Sequence, residues 1–141
     1  MNTVFTSLIL LISLVSCNTG PEPIKTGVDN CYFCKMTISD ARFGAEVITK
    51  KGKIYKFDDT HCILSFLKTG EVPATTIKDI YFSNYCEAHG LLNVKGAIFL
   101  KSNQLRGPMG GNIAAFDHAD SLKKTEEHYK GEIVAWSEIN K

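Results

Sequence analysis

The chain has 141 residues, with 16 Lys or Arg against 15 Asp or Glu and a formal net charge of +1. So even a balance, with no basic stripe, excludes nucleic acid as an expected partner. A chain of this length can bury a sizeable core without covalent staples, so its five cysteines need not form disulfides for it to fold, although the four left beside Cys17 are an even number that could pair in an oxidising compartment.

Residues 1–16 (MNTVFTSLILLISLVS) carry no charge. The apolar run within them is too short to span a bilayer but suits the core of a signal peptide. Leu14-Val15-Ser16-Cys17 follows with the spacing of a bacterial lipobox, in which the cysteine is acylated, so Cys17 is the expected lipidation site. No Lys or Arg precedes the apolar run, which leaves a plain secretory signal, or a start further upstream, as alternatives. Residues 17–30 are expected to tether the anchor to a domain over residues 31–141, because their Pro, Gly and polar content packs poorly. No later run is long and apolar enough to cross a membrane.

Residues 45–49 and 53–57 are β-prone runs joined by Lys50-Lys51-Gly52, a hairpin signature. Asp58 or Asp59 then caps a helix whose apolar face holds Cys62, Ile63, Phe66 and Leu67, and Gly70 ends it. Residues 77–85 read as a return strand. The order recurs: a strand at 97–100, a glycine-rich turn at 107–111, a strand at 113–116, a helix over 118–130 capped by Asp117 and stopped by Gly131, and a closing strand at 133–136. Phe57-Asp58 and Phe116-Asp117 hold the same place in each unit. The expectation is an α+β domain of two pseudo-repeated ββαβ modules, at about 31–90 and 91–141, sharing one core.

Cys31-x-x-Cys34-x-Met36 places two thiols and a thioether on what should be an exposed loop before the first hairpin. Such soft donors favour copper(I) over hard cations, whereas a closed zinc site wants four Cys or His ligands. The same Cys31-x-x-Cys34 spacing also suits a redox dithiol or a disulfide, although no strand precedes it as in thioredoxin-like enzymes. Spacing alone leaves these readings open. Met109, flanked by Pro108 and Gly110-Gly111, has few neighbours to pack against and is a candidate thioether ligand. Cys62, on the apolar helix face, reads first as a small hydrophobe and only second as a ligand. Cys86 and His89 show no evident partner. His61 and His118 each stand near a helix start, which disfavours their protonation and keeps them available to metal, His118 the better of the two. No G-x-S-x-G, H-E-x-x-H or phosphate-cradling loop is present, so enzyme chemistry is not the expectation.

Taken together, the lipobox, Cys31-x-x-Cys34-x-Met36, Arg42-Phe43-Gly44-Ala45, Phe57-Asp58-Asp59-x-x-Cys62, and Gly107-Pro108-Met109-Gly110-Gly111 with Ala114-Ala115-Phe116 resemble the NosL family of nitrous oxide reductase accessory lipoproteins. The resemblance runs from residue 17 to about residue 136. It implies a copper(I) chaperone in the cell envelope, anchored to a membrane, the outer membrane facing the periplasm being the expected one. It would supply nitrous oxide reductase or another cuproenzyme and work with an ABC-type membrane complex. It also implies a fold related to that of organomercurial lyase, with Cys34, Met36 and Met109 as ligands. Cys31 would be a further ligand or a redox partner. The alternative is a membrane-anchored thiol-disulfide oxidoreductase using Cys31 and Cys34.

Overall fold

The computed structural model describes residues 20–141, so the expected signal segment at 1–16 and the expected lipidation site Cys17 lie outside the described residues. The elements run β1 (Ala45–Thr49), β2 (Ile54–Phe57), α1 (Thr60–Thr69), β3 (Ile77–Ser83), β4 (Leu91–Asn93), β5 (Ile98–Lys101), β6 (Ile113–Phe116), α2 (Ala119–Tyr129), β7 (Glu132–Val134) and α3 (Trp136–Ile139). Among the described residues no helix is long and apolar enough to cross a membrane.

The first hairpin closes where Gly52 takes φ +82°, a left-handed conformation that costs glycine little. Its N–H donates to the Thr49 carbonyl at 2.9 Å. β1 then pairs with β2 on one side and β3 on the other, and being flanked on both edges it is buried throughout. Side chains alternate along a strand. Ala45 and Val47 accordingly enter the core with Phe57, Cys62, Ile63 and Phe66, and Glu46 between them turns to the opposite face. Full burial of an aromatic such as Phe57 or Phe66 contributes roughly 2–3 kcal/mol each, and both are essentially inaccessible.

That opposite face is covered by residues 22–30. Glu22 N–H donates to Glu46 Oε1 at 3.2 Å, and Lys56 Nζ reaches the Pro23 carbonyl and Asp29 Oδ2. Ile24 lies so close to Gly44 that a Cβ there would stand 2.7 Å from its Cδ1. The segment expected as a tether thus includes residues that pack on the sheet.

The two sheets are antiparallel, with orders β2-β1-β3-β4 and β6-β5-β7. In both, the first strand of the unit is central, its hairpin partner lies on one side and the strand after the helix on the other. They meet where Tyr85 N–H donates to the Ala115 carbonyl at 2.8 Å and where Phe82 stands edge-on to Phe99, centroids 5.2 Å apart. Among the described residues the result is a small mixed α and β domain of two antiparallel sheets and three α-helices.

Several expected boundaries move, each for a local reason. The Asp59 side chain caps α1, and Gly70, at φ +68°, ends it. α2 begins with His118, not Asp117, at its cap position, without a side-chain cap bond. Lys130 adopts φ +52° at its end. Gly131 is needed for a different purpose, since a Cβ there would stand 2.5 Å from the Lys101 carbonyl oxygen. The closing strand stops at Val134, and Trp136 opens α3 with its ring packed on Phe82. β4 was not expected.

Candidate metal centre

The loop bearing Cys31 and Cys34 is held at its base by the Asn30–Thr37 bridge. Cys31 N–H donates to the Met36 carbonyl at 2.8 Å, Lys35 N–H returns to the Cys31 carbonyl at 2.9 Å, and Lys35 takes φ +65°. One residue further on, Tyr32 N–H donates to the Lys56 carbonyl of β2 at 2.8 Å. The Tyr32 ring stands edge-on to Tyr55 and Phe66, at 4.7 and 5.4 Å, and its hydroxyl donates to Glu71 Oε1. The Lys35 ammonium sits 4.0 Å above that ring. Aromatic packing thus fixes the loop against the hairpin and α1, where the sequence suggested a freely exposed one: Cys31 is 0% exposed, and Cys34 is half-buried.

Cys62 meets them from the first turn of α1. Asp59 Oδ1 accepts the N–H of His61 at 2.8 Å and of Cys62 at 3.3 Å, which aims this helix start at the loop. The sulfurs of Cys31, Cys34 and Cys62 lie within 4.8 Å of one another, and all four cysteines of the described residues are free thiols. Metal–sulfur bonds of ~2.3 Å place ligand sulfurs ~4 Å apart, so a small contraction would bring these three around one ion. Cys62, expected first as a packing residue, is both fully buried and part of this cluster. The signal that could have found it was the Asp59 cap, which puts position 62 at the helix end and not along its middle.

Burial is the main cause that pushes the Cys34 thiol up. The Met36 N–H donated to its sulfur opposes this, and the neighbouring Cys31 adds to it. Cys62 is pushed well above the ordinary thiol range by burial first and by Cys31 and Cys34 second. Without metal Cys34 and Cys62 therefore hold their protons, since adjacent thiolates would repel one another in a poorly solvated place. A bound cation reverses that balance by replacing the protons.

The glycine-rich loop is fastened to the same helix start, with Asp59 Oδ2 accepting the N–H groups of Met109 and Gly111 at 2.8 and 3.0 Å. Met109, like Cys34, is partly buried and packs against the core cluster that contains Cys31 and Cys62. Met36 is 56% exposed beside Cys34 in sequence. His118 does not join the cluster: its side chain is 74% exposed and lies 3.5 Å from Asp117. Cys86 packs in a separate cluster with Phe43, Leu100 and Phe116, and His89 bonds the Asn84 carbonyl.

A model of the NosL family matches residues 24–141. No curated protein sequence matches the chain. Among solved structures, the crystal structure of the copper chaperone NosL from Shewanella denitrificans superposes with a TM-score of 0.70 at 23% identity, covering 85% of this chain and 95% of that chain. The fold is therefore shared with that protein.

Proposed function

The chain belongs to the NosL family, and on that premise we propose that it is a copper(I) chaperone, lipid-anchored through Cys17 in the cell envelope. The observation that carries this reading is the convergence of the Cys31, Cys34 and Cys62 sulfurs with Met109 packed against the same core. Thiolates joined by a thioether suit copper(I) better than zinc or any hard cation. Two buried thiols with half-buried Cys34 and exposed Met36 form a graded donor set. Copper enters at the rim, is held deeper, and leaves when a partner's sulfur displaces the rim ligands one at a time.

The recipient is nitrous oxide reductase or another copper enzyme, reached together with an ABC-type membrane complex, and the anchor sits on the outer membrane facing the periplasm. The two strand-helix units are copies of one module, a reading supported by their matching strand order and carrying with it the relation to the organomercurial lyase fold. An oxidoreductase at Cys31-x-x-Cys34 is the less favoured function. Its attacking thiol, the first of the pair, must be reached by a partner's disulfide, and Cys31 is fully buried.

Anaerobic titration of the reduced protein with copper(I) against a chromogenic competitor tests this, for the wild type and for Met36→Leu combined with Met109→Leu. One-to-one binding weakened in the double variant is expected. Binding no tighter than the competitor, or untouched by removing both thioethers, would favour the dithiol function.

A further inference from the structure

The sulfur-bearing segments come from distant parts of the chain, yet all of them are fastened to the dipeptide Asp58-Asp59. Asp58 Oδ1 accepts the N–H of Ser39 at 3.1 Å, closing the segment that follows Met36. Asp59 Oδ1 accepts His61 and Cys62, and Asp59 Oδ2 accepts Met109 and Gly111, the former 50 residues away. Its residue is 0% exposed, so all of its lone pairs must find partners within the fold.

A helix cap needs one side-chain oxygen, and Ser, Thr or Asn supplies it about as well as Asp. The second oxygen of Asp59 does something a cap does not require: it grips the loop on which Met109 sits. The glycines of that loop follow from the grip. A Cβ at Gly107 would stand 2.9 Å from Asp59 Oδ2, and one at Gly111 would stand 2.7 Å from the His61 nitrogen and 3.2 Å from Asp59 Oδ1. The loop reaches the carboxylate because both residues flanking the Pro-Met-Gly segment lack side chains.

We propose that Asp59 is the positioning residue of the metal site, its two oxygens setting the separation between the Cys62 helix start and the Met109 loop so that their sulfurs face one ion. This rests on the reading above, in which Met109 joins the three thiols as a donor. A carboxylate bridging charge-assisted hydrogen bonds to both sides is stiffer than packing alone. Preorganisation of that kind removes a reordering cost from metal capture.

The test is Asp59→Ser, which keeps a capping oxygen but has none left for the loop, combined in a double-mutant cycle with Met109→Leu. Amide exchange of the metal-free protein should show Met109 and Gly111 exchanging faster while Cys62 stays protected. Copper(I) affinity of Asp59→Ser should fall roughly 10- to 100-fold, the range typical when a group that orients a ligand is lost. Adding Met109→Leu should then lower it no further. An unchanged affinity in Asp59→Ser, or a Met109→Leu cost as large in that background as in the wild type, overturns the positioning role. If Met109→Leu has no effect even in the wild type, the thioether is not a donor and this inference falls with it, while the three-thiol centre is judged separately by the loss of binding in Cys62→Ala. Should Asp59→Ser fail to fold, Gly111→Ala displaces the loop with the carboxylate intact and must show the same non-additivity with Met109→Leu.

Discussion

Replacing Cys62 with alanine separates two roles that its position combines. As a packing residue, Cys62 fills part of the core between Cys31, Ile63 and Phe66. Loss of its sulfur there removes one methylene-sized buried group and leaves a small cavity, costing about 1 kcal/mol of folding stability. As a ligand, it is one of three sulfurs within 4.8 Å, and its removal leaves an ion with Cys31, Cys34 and at most a thioether. Losing a direct ligand should cost more than the ~10- to 100-fold typical of losing a group that merely orients one, so at least ~100-fold is expected. The assay is copper(I) competition under anaerobic, reducing conditions, with denaturant unfolding of the metal-free protein alongside it. Cys86→Ala is the control, because Cys86 packs in the other cluster and should leave copper affinity unchanged. A Cys62→Ala protein that loses stability but binds copper as tightly as the wild type would refute the ligand role and leave only packing.

Two further outcomes follow from the ionisable groups. Cys34 and Cys62 are held protonated, chiefly by burial, so copper must displace those protons. Apparent affinity should fall on acidification by about tenfold per pH unit for each proton released, and copper addition in weak buffer should acidify the solution; a pH-independent affinity would contradict the clustered thiols. Burial also pushes the Glu46 carboxyl up from 4.5 to about 7, with the Glu22 N–H and Lys56 opposing the shift, and among the described residues its Oε2 is buried without a hydrogen-bond partner. The folded state therefore keeps a proton that the unfolded chain gives up. The stability associated with that proton is fully present below 4.5 and is lost as pH rises through about 7, by no more than about 3 kcal/mol. Glu46→Gln should flatten that part of the pH dependence in urea unfolding, and an unchanged profile would place the ionisation elsewhere.

What the sequence made legible was local. The first hairpin turns at Gly52 and α1 is bounded by the caps Asp59 and Gly70, because a left-handed glycine and a capping carboxylate act on their immediate neighbours whatever the rest of the chain does. β4 and α3, three and four residues long, have too little pattern to declare themselves: β4 exists because it pairs with the edge of β3, and α3 because Phe82 and Phe99 give Trp136 a surface to pack on. The site divides in the same way. Cys31 and Cys34 are near in sequence, so their spacing was readable, whereas Cys62 joins them only because Tyr32 pins the loop to β2 and to the face of Phe66.

The glycine-rich loop is the most instructive case. Its composition correctly marked it as a place where backbone matters, but suggested that the glycines leave Met109 bare. They instead make room for the Asp59 carboxylate, whose identity as a cap was readable and whose second oxygen was not. A side chain's local hydrogen bond is written in the residues beside it. Its bond to a loop 50 residues away depends on how the two sheets meet, and that is settled by Phe82 against Phe99 and by Tyr85 against Ala115. The donor set for copper is therefore a property of the joined sheets: changes at that junction should alter metal capture even where every sulfur remains.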